Sequence, residues 1–327
     1  SEISDALIEN GKSPSTPAAM IHCATLGTQR VIQGTLETLP ALQNEAKLTV
    51  PTLTVIGSVI DLRPARSWFE QRPFLGKRIV ITRPSHQTAD LLQELEQLGA
   101  LPYSLPIVEI VEPGDWTPVD EALSRLSEFQ WIVFTSANGV HAFLRRLRNQ
   151  NLDLRALGHC QLAVIGPATA KTLREYHLEP DVMPTQFISE DLVDELMKKV
   201  TGQRVLLPRA DRGRDHLPNE LKKVATVEQV TVYDQRDLVE GDPYVLDLIN
   251  RGEVDYITLT SSNIARGLNR LVDQNGSQHI QNGRIKLVTI SPQTSSTVSE
   301  LGWPVAVEAK TYNLPGVVQA MLEDVGS

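Results

Sequence analysis

Residues 133–147 read VFTSANGVHAFLRRL and residues 258–272 read TLTSSNIARGLNRLV. Each stretch leaves an apolar, β-branched run, passes through a Thr-Ser-x-Asn turn, and continues with apolar residues at helical spacing. The two lie 125 residues apart, and the same offset aligns LAVIGPATAKTLREYHL (162–178) with LVTISPQTSSTVSELGW (287–303). At an offset of 126, GKRIVITRPSHQTADLLQELEQLGA (76–100) aligns with GQRVLLPRADRGRDHLPNELKKVA (202–225) and Arg83 falls on Arg209. The chain from about residue 76 onward is an internal duplication.

Within each copy, short Val/Ile/Leu runs alternate with segments such as 91–98, where Leu91, Leu92, Leu95 and Leu98 recur at i, i+3, i+4 spacing. Strands alternating with helices predict parallel sheets covered on both faces, so the fold class is α/β: two similar doubly wound parallel-sheet domains. In such folds ligands collect at the carboxyl ends of the strands, where the next helix offers unpaired N–H groups and the positive end of its dipole. Four turns fall at such ends: Thr135–Asn138, Gly166–Thr169, Thr260–Asn263 and Ser291–Thr294. Taken singly, each reads as a helix N-cap contributing roughly 1 kcal/mol. Taken together, they are expected to cap their helices and also to line one cleft with donors, which makes Thr135, Ser136, Asn138, Gly166, Thr169, Ser261, Ser262, Ser291 and Thr294 candidate ligand contacts. Arg83, Arg209, Arg212 and Arg214 lie just beyond strand ends and are candidate anion contacts.

The protein has 327 residues, 41% of them hydrophobic and 22% charged, with 40 acidic against 31 basic side chains and a net charge of −9. That balance gives no general attraction to nucleic acid or to an anionic membrane, so neither is expected as a partner, and an anionic ligand needs a local site. No apolar run approaches the roughly 20 residues of a membrane span, and the start, SEISDALIENGK, lacks the features of a signal peptide. Only Cys23 and Cys160 are present, without metal or redox spacing, which suits a reducing, cytoplasmic setting. His86, His141, His159 and His177 show no paired spacing, and no metal site is expected. One disagreement between the copies stands out: at the offset of 125, Tyr233 faces Val108, a phenol where the twin is aliphatic.

GKRIVITRP, FTSANGV, VIGPATAKTL, VLLPRA, TVYDQR, LTSSN and TISPQTSSTV, in this order, resemble the uroporphyrinogen-III synthase family across residues 76–327. The resemblance implies a cofactor-free lyase that cyclises and dehydrates hydroxymethylbilane to uroporphyrinogen III with inversion of ring D. It implies a chain that starts in one domain, crosses to the other and returns through a two-segment hinge. The borders are then expected in the Gly/Pro/Asp-rich stretches near 113 and 242, giving 76–113 with 243–327 as one domain and 114–242 as the other. It also matches Tyr233 to the tyrosine assigned in that family to protonating the departing hydroxyl. Where some relatives carry a basic residue in the first turn, this chain has Asn138.

Residues 1–75 differ. SDALIENGKSPSTPAAMIHCATLGTQRVIQGTLETLPAL and the following VPTLTVIGSVIDLRPARSWFEQRPFLGKR resemble the carboxyl-terminal end of uroporphyrinogen-III C-methyltransferase, including Thr16-Pro17-Ala18-Ala19, Gln29-Arg30 and Val55-Ile56-Gly57. The glycine-rich domain that begins that family's S-adenosylmethionine site is not in this sequence, and Ala24 stands where a Gly is usual. The segment reads as a partial α/β fragment, with association through it an open role. Two other classes are weighed beside the synthase: a two-lobed small-molecule binding protein, since fold does not decide function, and a working methyltransferase, which equilibrium binding of S-adenosylmethionine would detect.

Overall fold

In the computed structural model, which describes residues 2–65, 67–213 and 215–326, three sheets divide the chain. Arg214, one of the candidate arginines, lies outside the described residues. Strands β1 (Pro17–His22), β2 (Arg30–Thr35) and β3 (Thr52–Ile56) form an antiparallel sheet in the order β2-β1-β3. One face of it buries Ala18 and Met20 against Leu36, Leu39 and Leu48. This unit leans on the rest at Gly27, where any side chain would come within 2.8 Å of the Gly99 and Ala100 carbonyl oxygens. Glycine there permits the close backbone approach.

The duplicated region supplies β4 (Arg78–Ile81), β5 (Leu101–Ser104), β6 (Val108–Val111), β7 (Trp131–Phe134), β8 (Gln161–Val164), β9 (Arg204–Ala210), β10 (Thr226–Asp237), β11 (Tyr256–Leu259), β12 (Lys286–Thr289) and β13 (Val307–Glu308). One sheet has the order β13-β12-β11-β4-β5, all parallel. The other has the order β6-β10-β9-β7-β8, parallel apart from β6. A parallel bridge between Ala163 and Val182 occupies the edge where the first sheet has β13. Each sheet therefore combines strands from both copies: β4 and β5 of the first join β11 to β13 of the second, and β7 and β8 of the first join β9 and β10 of the second. The crossings are β6 and the end of β10, which pair antiparallel with Val108 opposite Asp237 and Val111 opposite Asp234.

The strands are near-continuous apolar runs because helices cover both faces. In β7, Trp131 and Val133 pack into one core and Ile132 and Phe134 into the other. In β4, Ile79 and Ile81 face one core and Val80 the other. This is the doubly wound α/β architecture expected from the alternating pattern.

Candidate active site

Helices Ala137–Asn149, Pro167–Glu175, Ser262–Leu271 and Pro292–Glu300 follow β7, β8, β11 and β12. Their first residues are the four hydroxyl- or glycine-rich turns. The Ser136 hydroxyl accepts the Gly139 N–H at 3.0 Å and that of Ser261 accepts the Ile264 N–H at 3.3 Å, so both serines are N-caps. Gly166 and Ser291 hold the equivalent positions without a side-chain cap; Ser291 Oγ lies 3.3 Å from Thr294 Oγ1 instead.

Three of the turns open on a central cleft of about 520 Å³ between the two sheets, lined by Thr135, Ser136, Asn138, Thr260, Ser261 and Ser291, with Thr169 from the fourth. A further cavity of about 860 Å³ continues from it past Ser261 and Ser291 to Ser262 and Thr294. Gly166 is the exception among the candidates. Phe187 sits over it, within 3.0 Å of where a side chain would begin, and keeps it out of the cleft lining.

Arg83 and Arg209 enter the cleft from opposite sides. Arg83 donates to Gln87 Oε1 at 2.5 Å, yet its buried Nε has no hydrogen-bond partner, and among the described residues no carboxylate pairs with it. Burial lowers its pKa, but a guanidinium stays charged at any ordinary pH. Arg209, 8% exposed, donates to Gln229 Oε1 at 2.8 Å and has Asp215 at 3.7 Å; burial lowers its pKa too, with Asp215 opposing. Gly213 passes directly over the Arg209 guanidinium, which would have to shift to admit a side chain there. Arg212 also reaches the cleft but is held by Asp237 at 2.6 Å, and the same carboxylate takes Arg270 at 2.7 Å. Asn138 Oδ1 accepts from Gln87 Nε2 at 2.8 Å, with His86 Nε2 at 3.3 Å, so it links the β7 turn to the loop after β4.

Tyr233 lines the cleft and is 6% exposed. A register shift between Thr231 and Tyr233 sets Thr231 opposite Arg209 and Tyr233 opposite Ala210. Strict alternation would carry Tyr233 to the face opposite Val230 and Val232; the bulge turns it into the same core as both. Its hydroxyl lies 3.0 Å from Ser136 Oγ. Burial raises its pKa, with the Ser136 hydrogen bond opposing, so the group facing the cleft is a neutral phenol.

Phe187, Tyr312, Gln87 and Gln235 line the cleft without having been singled out in the sequence. Phe187 and Tyr312 are 125 residues apart, and carrying the repeat on at that offset would have found them. Among the described residues, no group of three or more His, Cys, Asp or Glu side chains is placed to hold a metal ion. Among the described residues, no helix is long and apolar enough to cross a membrane.

The family profile for uroporphyrinogen-III synthase HemD matches residues 89–319. Over 257 residues the chain is 33% identical to the uroporphyrinogen-III synthase of Synechococcus elongatus, covering 77% of this chain and 96% of that protein. It is 30% identical over 320 residues to the porphyrin biosynthesis protein HemD of Ruminiclostridium josui, covering 97% of this chain and 60% of that relative's length. The methyltransferase resemblance has a counterpart in the uroporphyrinogen-III C-methyltransferase of Bacillus subtilis, 33% identical over 162 residues, 48% of this chain and 32% of that protein. A crystal structure of a mutant uroporphyrinogen III synthase from Thermus thermophilus shares the fold with a TM-score of 0.54 at 17% identity, covering 76% of this chain and 99% of that one. With the duplicated α/β sheets and the cleft between them, these matches place the chain in the uroporphyrinogen-III synthase family.

Proposed function

We propose that the chain closes hydroxymethylbilane to uroporphyrinogen III in the cleft between its two sheets, inverting ring D. The observation that carries the reading is Arg83, a half-buried cation whose buried Nε is unsatisfied and which has no acid partner among the described residues, beside hydroxyl-rich helix N-termini in a protein of net charge −9. A buried charge left without a partner is costly, and an incoming carboxylate supplies one. The substrate carries eight carboxylates. Arg209 from the second copy and the N-terminal dipoles of the turns are receptors of the same kind.

Loss of the terminal hydroxyl from ring A as water gives an electrophilic azafulvene. The substituted carbon of ring D attacks it to form a spiro intermediate, which fragments and recloses with ring D reversed. Without enzyme the azafulvene closes with no inversion, so the protein's task is to hold the two ends in the strained approach. Tyr233 donates a hydrogen bond to the departing hydroxyl. Its neutral phenol and its contact with Ser136 support that role, because Ser136 can donate to the phenol oxygen and leave the phenol proton directed at the substrate.

We assign 76–113 with 243–327 to one domain and 114–242 to the other, with β6 and the end of β10 as the hinge. The protein is read as cytoplasmic, without nucleic acid or membrane partners. Residues 1–75 are read as a site of association, not of methyl transfer. Freshly generated hydroxymethylbilane, incubated with the protein and separated into type I and type III products, tests the main reading. Type III is expected without added metal or nucleotide and in the presence of chelator; type I alone would overturn it.

A further inference from the structure

A groove of about 640 Å³ lies on the far side of Tyr233 from the central cleft, and Tyr233, Asn138 and Ile110 form the wall between them. Its floor is helix Ala137–Asn149, on which Asn138, His141, Arg145 and Arg148 fall at i, i+3, i+7 and i+10, one polar stripe along the helix. Val140, Phe143 and Leu147 on the same helix are buried in the core, and Ala142 and Leu144 line the groove beside the stripe.

The stripe is cationic in an acidic protein. Its charge is that of Arg145 and Arg148; His86 also lines the groove, from the loop after β4, and among the described residues the one acid lining it is Glu112. Glu112 pairs with Arg145 at 3.1 Å, but both side chains are more than half exposed, so the pair is weak and easily exchanged. His141 Nδ1 lies 3.0 Å from the Tyr176 hydroxyl. Arg148 is exposed, and no carboxylate pairs with it among the described residues. The second copy has a related arrangement: His141 and Arg145 correspond at an offset of 125 to Arg266 and Arg270, and Arg266 lines the cavity that extends the central cleft on its other side.

We propose that this groove is a second carboxylate site, which takes acetate or propionate side chains of the bilane that the central cleft does not hold. The inference rests on the cyclisation proposed above. Pockets of roughly 300–1,000 Å³ bury drug-sized ligands, and a four-ring polyacid exceeds that class. The 520 Å³ cleft alone therefore leaves part of it outside; the 860 Å³ cavity extends the cleft past Ser261 and Ser291, and the groove next to Tyr233 presents complementary charge beside the proposed donor.

Steady-state turnover of hydroxymethylbilane by three full-length proteins tests this: wild type, Arg148→Glu, and Lys223→Glu, which makes the same charge change outside the groove. An exposed ion pair is worth up to about fivefold in affinity, and reversal adds repulsion, so Arg148→Glu is expected to raise KM on the order of tenfold. Its kcat and its type III fraction should remain those of wild type, because ring inversion takes place in the central cleft. Lys223→Glu should match wild type throughout. An active wild type with Arg148→Glu no different from Lys223→Glu would overturn the groove while leaving the cyclisation standing. A wild type that forms no type III product would overturn the cyclisation and the groove with it.

Discussion

Arg83 and Arg209 occupy equivalent places in the two copies, each half or more withdrawn from water and each bonded to a glutamine, yet their surroundings differ. Arg209 has Asp215 within 3.7 Å and a loop folded over it at Gly213; Arg83 has an unpaired Nε and, among the described residues, no acid. One cation is built into its loop, and the other is the one we propose meets a ligand carboxylate. A related contrast separates Tyr233 from Val108: both line the cleft, one with a phenol and the other with an aliphatic side chain. A duplicated fold keeps its frame by keeping its apolar positions, and function enters where paired positions diverge.

Among the arginine and capping-serine variants, the largest effect should come from the arginines. Arg83→Met is expected to lower kcat/KM by about 10- to 100-fold, the worth of one or two charge-assisted hydrogen bonds. Its melting temperature should equal or exceed that of wild type, since no ion pair is lost and a half-buried charge is removed. Arg209→Met should lose less activity and melt lower, because the loop through Gly213 loses what it packs on. Paired kinetics and thermal unfolding decide this, and equal behaviour of the two variants would erase the contrast.

The capping serines sharpen the comparison at a smaller scale. Ser136→Ala and Ser261→Ala each remove a cap worth roughly 1 kcal/mol, so their thermal stabilities should fall together. Ser136 alone touches Tyr233, so its variant should also slow turnover about five- to tenfold, the value of one hydrogen bond. If both slow equally, the contact with Tyr233 adds nothing.

The smallest expected effect is an absence. The folded pKa of Tyr233 is raised by burial above the ordinary phenol value near 10. The neutral phenol and the stability it carries are therefore fully present below pH 10, and are lost only as pH rises through the raised folded value. A pH profile of kcat should show no alkaline limb from this group below about pH 10, and Tyr233→Phe should leave the profile between pH 7 and 9 unchanged in shape. A limb near pH 8 that disappears in the variant would contradict a neutral donor.

Much of this frame was legible in the sequence because the apolar periodicity and the turn chemistry are local. The alternation of strand and helix, the capping roles of Ser136 and Ser261, and the pairing of Arg83 with Arg209 all follow from spacing and residue type. What depended on partners distant in the chain was not. The bulge that turns Tyr233 into the core with Val232 is set by the register against β9, and Phe187 covers Gly166 from a loop some twenty residues away. Asn138 was a candidate substrate contact; its carbonyl oxygen already accepts from Gln87, a residue about fifty positions earlier. Arg212, equally well placed by sequence, is bound by Asp237.

The claim that the cleft works through the divergence of its two halves rests most directly on Tyr233. The variant Tyr233→Phe keeps the ring in its core and deletes the donor, so the fold should persist. Its products from hydroxymethylbilane, resolved into isomers at matched protein concentration, are expected to show type III formation slowed by about 10- to 1,000-fold, with a larger share of type I. Wild-type rate and isomer ratio in that variant would contradict the account and leave substrate folding by the turns and arginines as the whole of the catalysis.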